Sequence, residues 1–207
     1  MEKLDLTKKY KSYYTAKPKP EVVDIGPAHF MSIVGKGDPS EKAFANNIEA
    51  LYPAVYTLKF MLKDEGHDFV VSKLEGLWWY DEEKFKDKSM TGSTTEVPRN
   101  EWEYRLMIRL PEFVDKIAVQ KAVDTAFAKK RNELINQVEY FQLHEGKCIQ
   151  MMHIGPFETE FISIQKIMEF SNSNNLVKNG LHHEIYLSDF RKTAPEKLKT
   201  ILREPVK

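Results

Sequence analysis

Glu184 lies in the run His182-His183-Glu184-Ile185-Tyr186-Leu187-Ser188, which reads as a β-strand. A two-residue period puts His182, Glu184, Tyr186 and Ser188 on one face and His183, Ile185 and Leu187 on the other. Ile185 and Leu187 suit a face packed under helices, which would turn Glu184 to the opposite side. In an aromatic groove, desolvation raises a carboxyl pKa and suits it to general acid or base work near neutral pH. The ionised form would equally pair with a ligand cation. A solvated strand glutamate is the ordinary alternative.

Aromatic residues supply the second kind of chemistry. Trp78, Trp79 and Tyr80 are consecutive, so alternation sends Trp79 to one face and Trp78 with Tyr80 to the other. One tryptophan is expected in the core. The other could wall a groove, stacking on a flat ligand or holding a cation over its face. Tyr56, Tyr104 and Tyr140 are further candidates, because a phenol can donate to a developing oxyanion or orient a water. Core packing with a satisfied hydroxyl is the commoner fate of any one of them. Met90, Met151, Met152 and Phe157 would add adaptable apolar lining.

The six histidines show no metal-ligand spacing, and no metal or other cofactor is expected. The one cysteine, Cys148, reads as a core thiol. A phosphate-binding glycine loop, a dinucleotide fingerprint and a Gly-x-Ser-x-Gly elbow are all missing from the sequence.

The elements that must position these residues can be read from periodicity. Two short β-like runs flank Gly26-Pro27. Phe44, Ile48, Leu51, Val55, Leu58 and Leu62 then form the stripe of an amphipathic helix, N-capped at Ser40 and ended by Gly66. Phe69–Tyr80 reads as a strand, 81–98 as a polar loop or lid, Trp102–Leu110 as an alternating strand and Ile117–Ile135 as a helix. Val138–Leu143 and Lys147–Ile154 follow as strands, then a helix over Glu158–Phe170, the strand His182–Ser188, and a short terminal helix from Pro195 to about Leu202. Ile25-Gly26-Pro27 is echoed by Ile154-Gly155-Pro156, 129 residues on, with a helix after each. The echo suggests two related half-domains, over 20–136 and 137–207, within one domain spanning 1–207.

The chain has 207 residues, 42% of them hydrophobic, with 31 basic and 31 acidic side chains. That length supports a sizeable core. Balanced charge argues against direct binding to nucleic acid or an anionic membrane. With no apolar run of membrane-spanning length and no apolar leader at Met1–Tyr14, a cytoplasmic location is expected.

The segments EGLWWYD, VPRNEWEYRLMIRLPEFV, EGKCIQMMHIGPF, HHEIYLSDFRKT and PEKLKTILREPVK, taken in order, resemble a stand-alone branch of the GyrI-like family. The resemblance implies an α+β fold of duplicated βαββ type, two pseudo-symmetric halves around a central groove. It implies binding of bulky, flat, hydrophobic or cationic small molecules by a monomer or weak dimer. A glutamate on a late strand, matching Glu184, would be the key polar residue. Some stand-alone members open the cyclopropane of DNA-alkylating cyclopropanoids. For that reaction Glu184 would activate water, and a tyrosine, Tyr140, would hydrogen-bond the ligand carbonyl. Trp78, Trp79, Tyr56, Tyr104, Tyr186, His182, Met90, Met151 and Phe157 complete the expected ligand-binding set. In that branch the Phe190 position is more often proline, a change expected to touch the turn and not the site. An interaction with a macromolecule such as a topoisomerase is the third alternative.

Overall fold

The computed structural model describes residues 3–86 and 96–207. Among them, the chain runs through α1 (Leu6–Lys9), β1 (Glu21–Ile25), β2 (Ala28–Lys36), α2 (Lys42–Asp64), β3 (Leu74–Trp79) and β4 (Glu103–Leu110). It continues through α3 (Lys116–Lys130), β5 (Glu139–Leu143), β6 (Gly146–Ile154), α4 (Glu160–Ser173), β7 (His182–Tyr186) and β8 (Lys199–Pro205). The strands form one sheet in the order β1-β6-β8-β7-β3-β4-β2-β5, and every neighbouring pair is antiparallel.

The order is symmetric about the β3–β7 junction. Each half follows the path strand, strand, helix, strand, strand, with β1 matching β5 and β2 matching β6. The matched strands begin 118 residues apart in both cases, Glu21 with Glu139 and Ala28 with Gly146. The helices α2 and α4 keep the same offset at Lys42 and Glu160. By this register Gly155 corresponds to Gly37. Both glycines take a left-handed φ, +120° and +139°, that lets the chain leave the strand for the helix. The Ile-Gly-Pro echo therefore paired the wrong turns: Gly26-Pro27 precedes β2, whereas Gly155-Pro156 follows β6.

The first strand of each half pairs with the other half, β1 with β6 and β5 with β2. Only three peptide steps join Ile25 to Ala28 and Leu143 to Gly146, a span of at most about 11 Å. These short links bring the two sheet edges together at one end, so the sheet curls.

One face carries the helices. Residues paired across antiparallel strands point to the same side, and the chain of partners Met31–Ile108–Leu74, Ile33–Leu106–Gly76–Glu184–Leu202 and Tyr104–Trp78–His182 defines it. α2 and α3 cover its β2–β4 part, with Leu51, Leu58, Val119 and Ala126 fully buried there. α4 covers its β6–β8 part through Ile164 and Ile167. Close approach of α2 requires Gly35, where a Cβ would stand 2.4 Å from the Asn47 amide and 2.5 Å from the Tyr104 ring. On the other face, α1 and the segment after it pack Leu6, Tyr13 and Tyr14 against Ile185 and Ile201.

Several sequence-based expectations need correction. The C-terminal helix is strand β8, preceded by a 3-10 turn at Pro195–Lys197. The helix expected to reach Ile135 ends at Lys130, with Arg131 in the left-handed conformation and a 3-10 turn at Glu133–Gln137. The N-cap of α2 is Glu41, and the Ser40 hydroxyl is bonded instead to Asp38. Met90 and the middle of the expected lid, 87–95, lie outside the described residues.

Candidate functional site

A cavity of about 340 Å³ opens on the helix-bearing face between the start of α2 and α4, over the centre of the sheet. Ligand pockets commonly start at about 300 Å³. Strand alternation with Ile185 and Leu187 under the helices predicts Glu184 on the side away from them. The structure reverses this: Ile185 packs on the opposite face against Leu6, Tyr13 and Tyr14. Glu184 therefore points to the helix side, into the gap that α2 and α4 leave over β3 and β7.

The walls are aromatic. Phe44 of α2 stacks on Trp78 of β3 at 5.8 Å between centroids and 21° between planes. Trp102 meets Trp78 edge-on at 6.0 Å. Phe157 meets both Tyr186 and Phe190 edge-on, at 5.9 and 6.1 Å. Phe190 thus belongs to the cavity, contrary to the expectation that this position would touch only the turn. At the rim Lys178 pairs with Glu82 at 2.8 Å and Arg99 with Asp38 at 3.6 Å.

A chain of hydrogen bonds crosses the floor. The Trp78 indole Nε1 donates to the Tyr186 hydroxyl at 3.1 Å, and that hydroxyl donates to Glu184 Oε2 at 2.7 Å. His182 Nε2 meets Glu184 Oε1 at 3.3 Å, while its Nδ1 meets Glu204 Oε1. Burial alone would discharge His182, but the Glu204 and Glu184 carboxylates hold its pKa well above the ordinary imidazole value. Tyr186, buried beside Glu184, is held well above the usual phenol range and keeps its proton. The chain depends on Gly76, directly opposite Glu184 on β3: a Cβ there would lie 2.9 Å from the Trp78 Nε1 and 3.0 Å from the Tyr186 hydroxyl.

A second carboxyl, Glu160, opens α4 and lines the same cavity. It is 6% exposed, and among the described residues its Oε1 has no hydrogen-bond partner. Burial and then the charge of Glu184 push its pKa well above the ordinary carboxyl range; the His182 cation and the Thr200 hydroxyl act the other way without reversing this.

Of the residues expected in the site, the cavity gathers Glu184, His182, Tyr186, Trp78 and Phe157. Trp79 packs with Phe30, Leu77 and Met107 on the other face and also borders the cavity. Tyr104 lies behind the wall, its ring against Phe44 and Trp78 and its hydroxyl accepting from Asn47. Met151 is buried under α4. Tyr56 is 44% exposed on the outer side of α2, stacked with Tyr52. Tyr140 is on edge strand β5 beside His29 and the α3 cleft, so the structure does not bring it to Glu184. Glu160, Phe44, Trp102 and Phe190 were missed. Among the described residues no group of three or more His, Cys, Asp and Glu side chains could hold a metal ion. No helix among them is long and apolar enough to cross a membrane.

Comparison with known proteins adds an independent line. Residues 18–207 match the model of the GyrI-like small molecule binding domain. Among solved structures, an uncharacterized conserved protein from Listeria innocua is 36% identical, with a TM-score of 0.87 over 99% of this chain and 100% of its own. A hydrolase from Listeria innocua is 34% identical, with a TM-score of 0.84 over 99% and 100%. The EcmrR C-terminal domain, 11% identical with a TM-score of 0.55 over 91% and 97%, shares the fold. No curated protein matches the chain.

Proposed function

The chain belongs to the GyrI-like small-molecule-binding family, and from that premise we propose that its cavity takes bulky, flat, hydrophobic molecules, cationic or neutral, with Glu184 as the central polar contact. The observation that carries this reading is one carboxylate fixed by Tyr186 and His182 on a floor walled by Phe44, Trp78, Trp102, Phe157 and Phe190. An ionised carboxylate offers about four acceptor sites, and Tyr186 and His182 take two. The others serve a ligand cation or a water. With His182 charged, Glu184 and Glu204 leave the floor one negative charge in excess, which favours a cation lying over the indole rings.

All three tryptophans of the chain line or border the cavity, so ligand binding should quench their fluorescence. Titration with a panel of planar dyes is the test, with affinities near micromolar expected, about −8 kcal/mol. Binding of anionic sugars or nucleotides, with planar cations ignored, would overturn the reading.

The hydrolase among its relatives, 34% identical over the full length, favours a second reading in which the same site hydrolyses a cyclopropanoid. Glu184 takes a proton from a water whose oxygen attacks the strained ring carbon. The ring C–C bond breaks, and its electron pair moves to the conjugated carbonyl oxygen, which becomes a phenolate and then takes a proton from solvent. Strain relief and aromatisation drive the step, and the protein orients the water and excludes bulk solvent. Incubation with a cyclopropanoid alkylator, followed by mass spectrometry for the water adduct, separates turnover from sequestration.

A further inference from the structure

Among the described buried polar groups that line the cavity, the Trp102 indole N–H and one oxygen of the Glu160 carboxyl are left without a partner. The Trp78 N–H is used on Tyr186, the Tyr186 O–H on Glu184, and both His182 nitrogens on carboxylates. Glu160 lines the same space with an oxygen that has no partner among the described residues, on a side chain more than nine-tenths buried. An orphaned polar atom in such a place costs stability unless a ligand satisfies it. The nearby charges are Glu184 and His182 from β7 and Glu158 in the turn before α4; Glu82, Lys178 and Arg99 line the cavity further out. A second carboxylate beside Glu184, walled by rings, is disfavoured, so the group holds its proton more tightly, and the protonated carboxyl is a donor that no described residue takes up.

We propose that the Glu160 carboxyl donates a hydrogen bond to a carbonyl oxygen of the bound molecule, so that the cavity selects planar aromatic ketones and related conjugated carbonyl compounds. This rests on the reading of the cavity as the binding site and names the ligand class within it. Glu160 takes the role the sequence had given to Tyr140, which the fold places on edge strand β5. If the bound carbonyl is conjugated to a ring under attack by water, the proton of Glu160 passes to that oxygen as the ring bond breaks, while Glu184 receives the proton of the water. Exchange with solvent then restores both groups.

The test uses the full chain with 9-fluorenone and fluorene, two neutral planar probes that differ by the carbonyl, followed by tryptophan quenching. The ratio of their affinities cancels differences in fold and wall packing. Relative to wild type, that ratio should fall about tenfold toward fluorene in Glu160→Leu, the worth of one hydrogen bond. It should stay within about threefold in Glu160→Gln, whose amide still donates. In wild type the infrared carbonyl stretch of bound, isotope-labelled fluorenone should lie below its value in hydrocarbon solvent. An unchanged ratio in Glu160→Leu overturns the proposal and leaves the binding reading intact. So does a carbonyl stretch at the hydrocarbon value, which decides the matter even if the leucine variant fails to fold. So, too, does a planar cation without a carbonyl whose affinity rises with pH in wild type but not in Glu160→Gln, since Glu160 would then be an ionised partner. If wild type binds neither probe, the binding reading falls as well.

Discussion

Glu184 and Glu160 share a cavity but not a role, because their partners differ. Glu184 accepts a hydrogen bond from the Tyr186 hydroxyl and lies against the His182 ring; Glu160 has burial and a like charge beside it. Glu184→Gln keeps the shape and removes the charge. It should leave thermal stability and neutral-ligand binding nearly unchanged and weaken planar cations about tenfold. If cyclopropanoids are turned over, it should also cost ~10²–10⁴-fold in rate, the usual range for a general base. Full cation affinity in that variant would remove Glu184 from the recognition argument. Gly76→Ala tests the support beneath it. The new methyl displaces the Trp78–Tyr186 contact, so binding should weaken about tenfold by quenching titration while circular dichroism stays native. Strand alternation grouped Glu184 with His182 and Tyr186 on one face but turned that face away from the helices; only the family resemblance pointed to Glu184 as the key polar residue. Glu160 was not legible in the sequence, since an acidic residue in the first turn of a helix is ordinarily explained by the helix dipole and solvent. Its burial arises only when α4 is laid over β7 and β8.

At the scale of elements, the sheet's other face is closed by residues 3–17, outside the region that matches the family model. Arg203 donates to the Tyr13 carbonyl at 2.9 Å and stacks on its ring at 4.4 Å, and Gln150 donates to the Thr15 carbonyl at 3.1 Å. Beneath lies a buried ionic cluster: His183 between Glu75 at 3.0 Å and Glu145 at 2.9 Å, with Arg203 at 3.2 Å from Glu145. Deleting residues 1–17 would expose the area now covered by Leu6, Tyr13 and Tyr14, about 6 kcal/mol at ~2 kcal/mol for each large buried side chain. That is comparable to a whole domain's stability, so the urea midpoint should collapse; an unchanged midpoint would show the segment to be dispensable. The cluster also sets a pH profile. Burial opposes the Glu145 charge, but His183 and Arg203 hold its pKa down at about 2, against an ordinary 4.5. Its contribution is therefore present above pH 4.5 and lost as pH falls toward 2. His183 is shifted the other way, up from 6.5 by Glu145 and Glu75 despite burial. Its contribution is full below pH 6.5 and fades as pH rises through the higher folded value. Urea unfolding across pH should thus show this cluster stabilising most between about 4.5 and 6.5. Glu145→Gln should remove the acid limb and cost about 3–5 kcal/mol, since it leaves Arg203 buried without its carboxylate and His183 with Glu75 alone. None of this was legible, because His183 was assigned to a core face and its partners come from three distant segments. The misread C-terminus has a similar cause. Pro195 opens a short turn as readily as a helix, and only the pairing of Thr200–Leu202 with β6 and β7 decides for a strand.

At the scale of the whole molecule, the duplicated architecture was legible and its register was not. A repeated Gly-Pro dipeptide is a weak marker, and the true equivalence, Gly37 with Gly155, is carried by backbone conformation and not by a shared tripeptide. The corrected register has a consequence for the site. The strands β3 and β7 are equivalent at an offset of 108 residues, from Leu74 and His182, so Gly76 is the counterpart of Glu184 and also its cross-strand partner. The pseudo-two-fold axis passes between them. A duplicated domain would place two identical residues there; this chain places one carboxylate and one glycine, and the space left by the glycine is filled by the Trp78–Tyr186 contact that supports the carboxylate. The same register shows that neither half has a complete sheet of its own. Three pairings cross between halves: β1 with β6, β5 with β2, and β3 with β7. If the chain is cut in the connection between α3 and β5, at residue 132, the first fragment keeps β1 to β4 but loses the partner of β1 and the edge cover of β2 and β3. The second keeps β5 to β8, with β5 lacking β2. Exposed strand edges of that kind aggregate or stay unfolded. Fragments 1–132 and 133–207 should therefore lack native near-ultraviolet dichroism when expressed singly and regain it, with ligand quenching, when co-expressed as a 1:1 complex. A first fragment that folds alone as a stable monomer would mean that the halves are independent units and that the crossed strands are dispensable to the site between them.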